Sequence, residues 1–265
     1  MGVVNVTPDS FSDGGVRLDP GRAADDALRM VEAGADLIDI GGESTRPGAP
    51  PVDAGEEWRR VAPVLDRLRD TITVPISIDT YKAATAERAL AAGATVVNDI
   101  SGLTFDPALA GAVARARAAV VLMHTRGRPD TMQEHARYGA DPVGEVIDEL
   151  AVRMRSATDA GIDPARIICD PGIGFAKRAE HSLAVLGQLE RFAILGRPLL
   201  VGPSRKSFLT ASLGGSAADE RIWGTAAAVT AAILAGAHIV RVHDVGEMVQ
   251  VARTADAIIA ARRLW

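Results

Sequence analysis

Eight short apolar runs rich in β-branched residues recur along the 265-residue chain, and each closes on a polar side chain before a stretch of helical pattern begins. They are Val3–Val6 with Asn5, Asp36–Gly42 with Asp39, Pro75–Thr80 with Asp79 and Thr95–Gly102 with Asn98. Ala119–Thr125 then closes on His124, Arg166–Gly174 carries Asp170, Pro198–Lys206 carries Ser204 and Lys206, and His238–Val245 carries Arg241 and His243. Runs that are apolar almost throughout fit strands covered on both faces, as in a parallel sheet. Eight strand-helix units predict an α/β fold, a (β/α)8 TIM barrel, as a single domain over residues 1–265. In such a barrel the C-terminal strand ends surround one mouth, so the polar residues named above are expected to converge on one pocket and make an enzyme.

The connectors support this register. Glu32-Ala33-Gly34-Ala35, Ala91-Ala92-Gly93-Ala94, Asp159-Ala160-Gly161-Ile162 and Leu234-Ala235-Gly236-Ala237 form a weak internal repeat in which a glycine stops a helix just before a strand. Those glycines belong at the barrel bottom. At the opposite end, Thr7–Gly15 and Gly41–Gly48 are rich in turn formers and predict loops above the mouth, one presenting Phe11 and the other Arg46.

Composition narrows the setting. A hydrophobic fraction of 48% with only 4% aromatic residues means that Ala, Val, Ile and Leu must fill the core. The net charge of -5 argues against a general nucleic-acid or membrane surface. Cys169 is the single cysteine, so no intrachain disulfide can form; its place in the sixth run predicts a buried, inert thiol. Asn5, Pro8 and Asp9 interrupt any leader-like apolar segment, and no window reaches the roughly 20 apolar residues of a membrane span. The Ala-rich stretch Thr225–Ala237 fits a helix packed outside the barrel. A cytoplasmic protein is expected.

Six strings stand in register with the expected strand ends: Asn5–Gly14, Asp39–Gly48, Asn98-Asp99-Ile100, Asp170–Phe175, Ser204-Arg205-Lys206 and Arg241-Val242-His243-Asp244. Together they resemble the signature segments of the dihydropteroate synthase family, over essentially the whole chain. The resemblance implies condensation of 6-hydroxymethyl-7,8-dihydropterin pyrophosphate with 4-aminobenzoate in folate synthesis. It implies a pterin site of Asp39, Asp79, Asn98, Met123, Asp170, Phe175, Gly202, Lys206 and Arg241, with Asp79, Lys206, Arg241 and His243 in the catalytic set. It assigns Pro8, Phe11, Thr45, Arg46, Lys206 and Ser207 to 4-aminobenzoate, and Asn5, Thr45, Arg46, Arg241 and His243 to pyrophosphate. Asn5 would be the protein's ligand to Mg2+, which keeps several waters and takes few protein ligands. The expected partners are these small molecules and a second copy of the chain in a homodimer, with no nucleic acid and no membrane.

The residue types suit this chemistry. A pterin presents a guanidine-like row of N–H donors beside a carbonyl, which carboxylates and a carboxamide can read on one edge and a Lys on the other. A single Asp at a strand end is more often a helix cap. Three acidic or amide groups in one mouth would be left unpaired without a ligand. Arg241 and His243 alternate, so a period of two puts both on one face. Asp79 is suited by type to a developing cation. The uninterrupted Ser10–Gly14 string shows no device that would admit 4-aminobenzoate and exclude a sulfonamide.

Departures from the family pattern are Arg126, where an uncharged residue is usual, and Ala176 and Ser182, where Gly and Asn are common. They bear on local loop geometry. The residues that usually precede the first strand are also lacking, so a less covered barrel bottom is expected. Two other classes are weighed. Pterin-binding methyltransferases share the barrel but should lack the Phe11 loop, Thr45–Arg46 and Ser204–Lys206 together, and all three are present. A non-catalytic paralogue would have no need for Asn5, Arg46, Lys206, Arg241 and His243.

Overall fold

The computed structural model describes residues 1–7, 20–46, 48–210 and 221–262. Six parallel strands run in sequence order: β1 (Gly2–Asn5), β2 (Ile38–Gly41), β3 (Ile76–Asp79), β4 (Val96–Asp99), β5 (Ala119–Met123) and β6 (Ile167–Asp170). A parallel pair, β7 (Leu200–Val201) and β8 (Ile239–Val240), completes the ring. Bridges Cys169 to Leu199 and Gly2 to Val242 join that pair to β6 and to β1, so the sheet closes on itself as a (β/α)8 barrel.

Eight helices alternate with the strands among the described residues: α1 (Pro20–Glu32), α2 (Ala54–Leu68), α3 (Ala83–Ala91), α4 (Leu109–Ala116), α5 (Pro142–Asp159), α6 (Ala179–Gly187), α7 (Ile222–Leu234) and α8 (Val245–Arg262). Local chemistry starts them. Asp53 caps α2 by accepting from the amides of Gly55 and Glu56 at 2.9 and 3.0 Å, and Asp141 caps α5 just ahead of Pro142. The glycine repeat ends four of them alike. Gly34 at φ +100 donates to Val31 O while Ala35 donates to Met30 O, and Gly93, Gly161 and Gly236 repeat the pair.

Two layers of apolar side chains hold the barrel, and strand parity separates them. Met1, Val96, Val121 and Leu200, with Ile168 and Ile239 against them, fill the interior. Ile38, Ile40, Ile78, Val97, Val120, Leu122 and Cys169 point the other way and pack beneath the helices. Cys169 is buried there, and burial pushes its thiol up to about 12, as expected of an inert core thiol. The interior plug occupies the lower half only. Above it the inward positions are polar, which is where the site is built.

Leu122→Ala would empty a fully buried position between β5 and the helices. We expect a loss of about 2–5 kcal/mol in urea unfolding, and a loss below about 1 kcal/mol would show that this layer does not carry the fold.

Candidate active site

Parity places the site. Counting inward positions along each strand gives Asn5, Asp39, Asp79, Asn98, Met123, Asp170, Gly202, Arg241 and His243, all near the C-terminal ends. Register sets neighbours side by side: Asp79 opposes Asn98, and Met123 opposes Asp170. Arg241 and His243 lie just past β8, yet the extended pairing continues there, with Arg241 N donating to Val201 O and Val242 N to Met1 O. Ser204 and Lys206 likewise lie in the loop after β7 rather than in the strand.

One guanidinium ties the floor together. Arg241 Nε donates to Asp39 Oδ2 at 2.6 Å, and its Nη2 donates to Asp79 Oδ2 at 2.7 Å. Asn98 Nδ2 donates to the same Asp39 oxygen at 2.9 Å. Asp39 Oδ1 is buried with no partner among the described residues. Burial pushes the Asp79 carboxyl well above its ordinary range; Arg241 pulls it back and Asp39 adds to the rise. Asp170 is raised for the same reason, with Lys206 as the main opposing charge. One Asp170 oxygen accepts from Gly172 N at 2.7 Å, which ties the turn after β6 rather than capping a helix. Asp99 does the same after β4, accepting from Ser101 N and Leu103 N at 2.8 and 2.5 Å.

Lys206 forms the facing wall. Its ammonium donates to Ile173 O at 2.6 Å and lies 4.7 Å from the Phe175 ring centre. Burial lowers it to about 8 despite the pull of Asp170. Met123, Tyr81 and Ile100 make an apolar cluster with Phe105 and Phe175 against it. His243 Nδ1 shares a hydrogen bond of 3.0 Å with Ser204 Oγ, and burial holds its imidazole down at about 4. Arg205 is paired with Asp244. Thr45 is half-buried, whereas Arg46 and Ser207 are exposed at the rim. Pro8 and Phe11 lie outside the described residues. No group of three His, Cys, Asp or Glu able to hold a metal ion occurs among the described residues. A single carboxamide, Asn5, thus suits only a hard cation that completes its sphere with ligand oxygens and water.

His124 corrects one expectation, because it does not join the pocket. It is the residue after inward-facing Met123, so it points outward and is fully buried. Its Nδ1 faces Lys177 Nζ at 2.8 Å and its Nε2 faces Glu149 Oε2 at 3.0 Å. Burial first, then the Lys177 charge, lowers it to about 3. Arg126 joins this cluster by pairing with Glu145 and Glu149 and by stacking 4.1 Å from the Tyr138 ring centre. Arg153 donates to the carbonyls of Met123 and Thr125, both at 2.5 Å. Sequence reasoning also missed a network beside the site that links Glu43, Glu57, Tyr81 and Lys82. Its one visible sign was Glu57 on the apolar phase of α2 with Val61, Val64 and Leu65. A cleft of about 560 Å3 lined by Ala94, Ala118 and exposed arginines opens at the other end of the barrel, away from these groups.

The chain is similar to known proteins over nearly its whole length. The family model for pterin binding enzyme matches residues 1–243. A dihydropteroate synthase of Synechocystis is 50% identical over 97% of this chain and 89% of its own. The Xanthomonas albilineans dihydropteroate synthase in complex with 7,8-dihydropteroate is 41% identical, covers 98% of this chain and 93% of its own, and superposes with a TM-score of 0.88. The Yersinia pestis dihydropteroate synthase with a sulfonamide drug is 40% identical over 98% of this chain and 94% of its own, with a TM-score of 0.93. A match over most of the chain means that this chain belongs to the pterin-binding enzyme family.

Proposed function

We propose that the chain is a dihydropteroate synthase, a transferase that condenses 6-hydroxymethyl-7,8-dihydropterin pyrophosphate with 4-aminobenzoate, giving 7,8-dihydropteroate and pyrophosphate for folate synthesis. The observation that carries this reading is the polar floor itself: Asp79 beside Asn98, Asp170 across from them and Lys206 on the facing wall, in a mouth lined by Met123 and Phe175. Each of these buried groups has one protein partner, and a flat ring with several N–H donors and one carbonyl would take up their remaining hydrogen-bonding capacity together. Asp39 stands in this set through Arg241 and Asn98, and Gly202 leaves room beside Lys206 Nζ, which a Cβ there would meet at 3.8 Å.

The bond changes are a substitution at the exocyclic carbon. The C–O bond to pyrophosphate breaks, a C–N bond to the aniline forms, and the amine gives up one proton. No side chain needs to act as nucleophile. Asp79, buried and negatively polarised toward the ring, would stabilise positive charge as the leaving group departs. Arg241 and His243 would face the diphosphate from the segment just past β8, with Thr45 and Arg46 above. Asn5 would hold Mg2+, whose charge would offset that of the departing diphosphate. Lys206, Ser207 and the Thr45–Arg46 loop would receive the 4-aminobenzoate carboxylate, and the family resemblance assigns Pro8 and Phe11 to the same substrate.

The reading extends to a homodimer in the cytoplasm. Trp223 on α7 and Ile258 on α8 are 81% and 43% exposed, apolar surface that a second copy would cover. The lone buried thiol suits a reducing compartment. No helix among the described residues is long and apolar enough to cross a membrane.

Three outcomes test this reading. Mixing the protein with the pterin pyrophosphate, 4-aminobenzoate and Mg2+ should release pyrophosphate, and Asp79→Ala or Lys206→Ala should abolish release while the melting temperature stays near that of the wild type. Near-normal turnover in either variant would remove the pterin assignment. Raising the pH should weaken pterin binding, because the Lys206 ammonium is present below about 8 and lost above it. Calorimetry at pH 7 and 9.5 checks this, and Lys206→Met should flatten the difference; equal wild-type affinities at both would reject the cationic reading of Lys206. A sulfonamide should inhibit turnover in competition with 4-aminobenzoate, whose aniline ring it shares. An active preparation indifferent to a large excess of the drug would show that the two do not share a site.

A further inference from the structure

Tyr81 stands where two parts of the mouth meet. Its ring, 7% exposed, belongs to the apolar wall with Ile100 and Met123 and meets Phe105 edge-on at 5.4 Å and 81°. This wall borders the pterin slot. The hydroxyl leaves the wall and donates to Glu43 Oε1 at 2.7 Å, 38 residues away in sequence. Glu43 is at the base of the loop that carries Thr45 and Arg46.

That base is held from three sides. The second Glu43 oxygen is ion-paired with Lys82, which also reaches Glu57 Oε2 at 3.2 Å. Glu57 accepts the Thr80 and Thr85 hydroxyls at 3.0 and 2.7 Å, so the pair is fixed to α2 and α3. Arg60 Nη1 donates to Gly42 O at 2.9 Å. Past Glu43 the loop moves toward the surface: Ser44 and Thr45 are half-buried and Arg46 is exposed. Lys82 and Arg60 bind the loop base to the outer helices, whereas the Tyr81 hydrogen bond arises from the wall that a pterin would touch.

We infer that Tyr81 and Glu43 are positioning residues that couple occupancy of the pterin slot to placement of the Thr45–Arg46 loop, and through it to 4-aminobenzoate binding. A ring bound against Met123 limits how the Tyr81 ring can tilt. A hydrogen bond to a buried carboxylate is directional, so the Glu43 end of the loop follows the Tyr81 hydroxyl. The two sites then share one adjustable contact, which is the physical requirement for coupling between them. The inference rests on the reaction proposed above.

The test uses Tyr81→Phe, Glu43→Gln and the double variant of the full chain, with KM for each substrate, kcat, calorimetric affinity for a pterin and melting temperature. Tyr81→Phe should raise KM for 4-aminobenzoate roughly tenfold while pterin affinity changes less than about twofold. The two changes should be less than additive in the double variant, since Glu43→Gln turns the charged acceptor of the Tyr81 hydroxyl into a weaker neutral one. A merely structural role would weaken both substrates alike and lower the melting temperature, and that result would overturn the coupling, as would additive effects or an unchanged KM for 4-aminobenzoate. Tyr81→Phe removes one oxygen without changing shape, so it decides the matter even if Glu43→Gln fails to fold. A wild type that releases no pyrophosphate would overturn the reaction and the coupling together; an active wild type with unaltered variants would overturn the coupling alone.

Discussion

The Arg241 guanidinium, clamped on Asp39 and Asp79, is the interaction on which the mouth of this barrel depends. Closing a parallel sheet forces inward side chains into a narrow space, and here three of them are carboxylates with 8% exposure or less. An unpaired carboxylate in such surroundings is expensive enough to protonate or to disrupt packing. Arg241 neutralises two of the three while remaining 21% exposed itself, so the cation looks into the mouth and the anions stay below it. One demand is left over: Asp39 keeps a buried oxygen with no partner among the described residues. A ligand that brings N–H donors to the floor and phosphate to the rim relieves both sides of this arrangement. Binding energy can then be drawn from groups the fold has already desolvated.

Much of this was legible in the sequence because period two and barrel closure are local rules with global consequences. Once Asp79 and Asn98 are read as strand ends of the same phase, closure makes them neighbours, and the structure places them opposite one another. The short β7 and β8 were visible as apolar runs although only two residues of each pair regularly, since single bridges carry the closure. The same rule explains the error at His124. It was the polar residue that closed its run, but its phase is opposite to that of Met123, and phase decides the side. Glu43, Lys82 and Glu57 were hidden for a different reason. Lys82 meets Glu43 and Glu57 across 39 and 25 residues, so only the packing of α2 and α3 on the barrel brings them together.

The departures from the family pattern show how the outer layer supports the inner one. Ala176 sits at φ +48, a left-handed conformation that costs a non-glycine residue about 1–2 kcal/mol. That strain is held from both sides: Tyr138 OH donates to Ala176 O at 3.0 Å, and Lys177 Nζ donates to Phe175 O at 3.1 Å. Arg126 stacks on that same Tyr138 and pairs with Glu149, the carboxylate that faces His124, which in turn receives Lys177. Ser182, fully buried, accepts from Gly174 N at 3.2 Å and secures the start of the turn. Arg126, Ala176 and Ser182 are therefore not three independent deviations. They belong to one bonded shell that fixes the backbone on either side of Phe175, and so fixes the ring against which Lys206 lies. A charged Arg126 is tolerated because it points away from the mouth, and its effect on the site is exerted through the shape of this turn rather than through its charge.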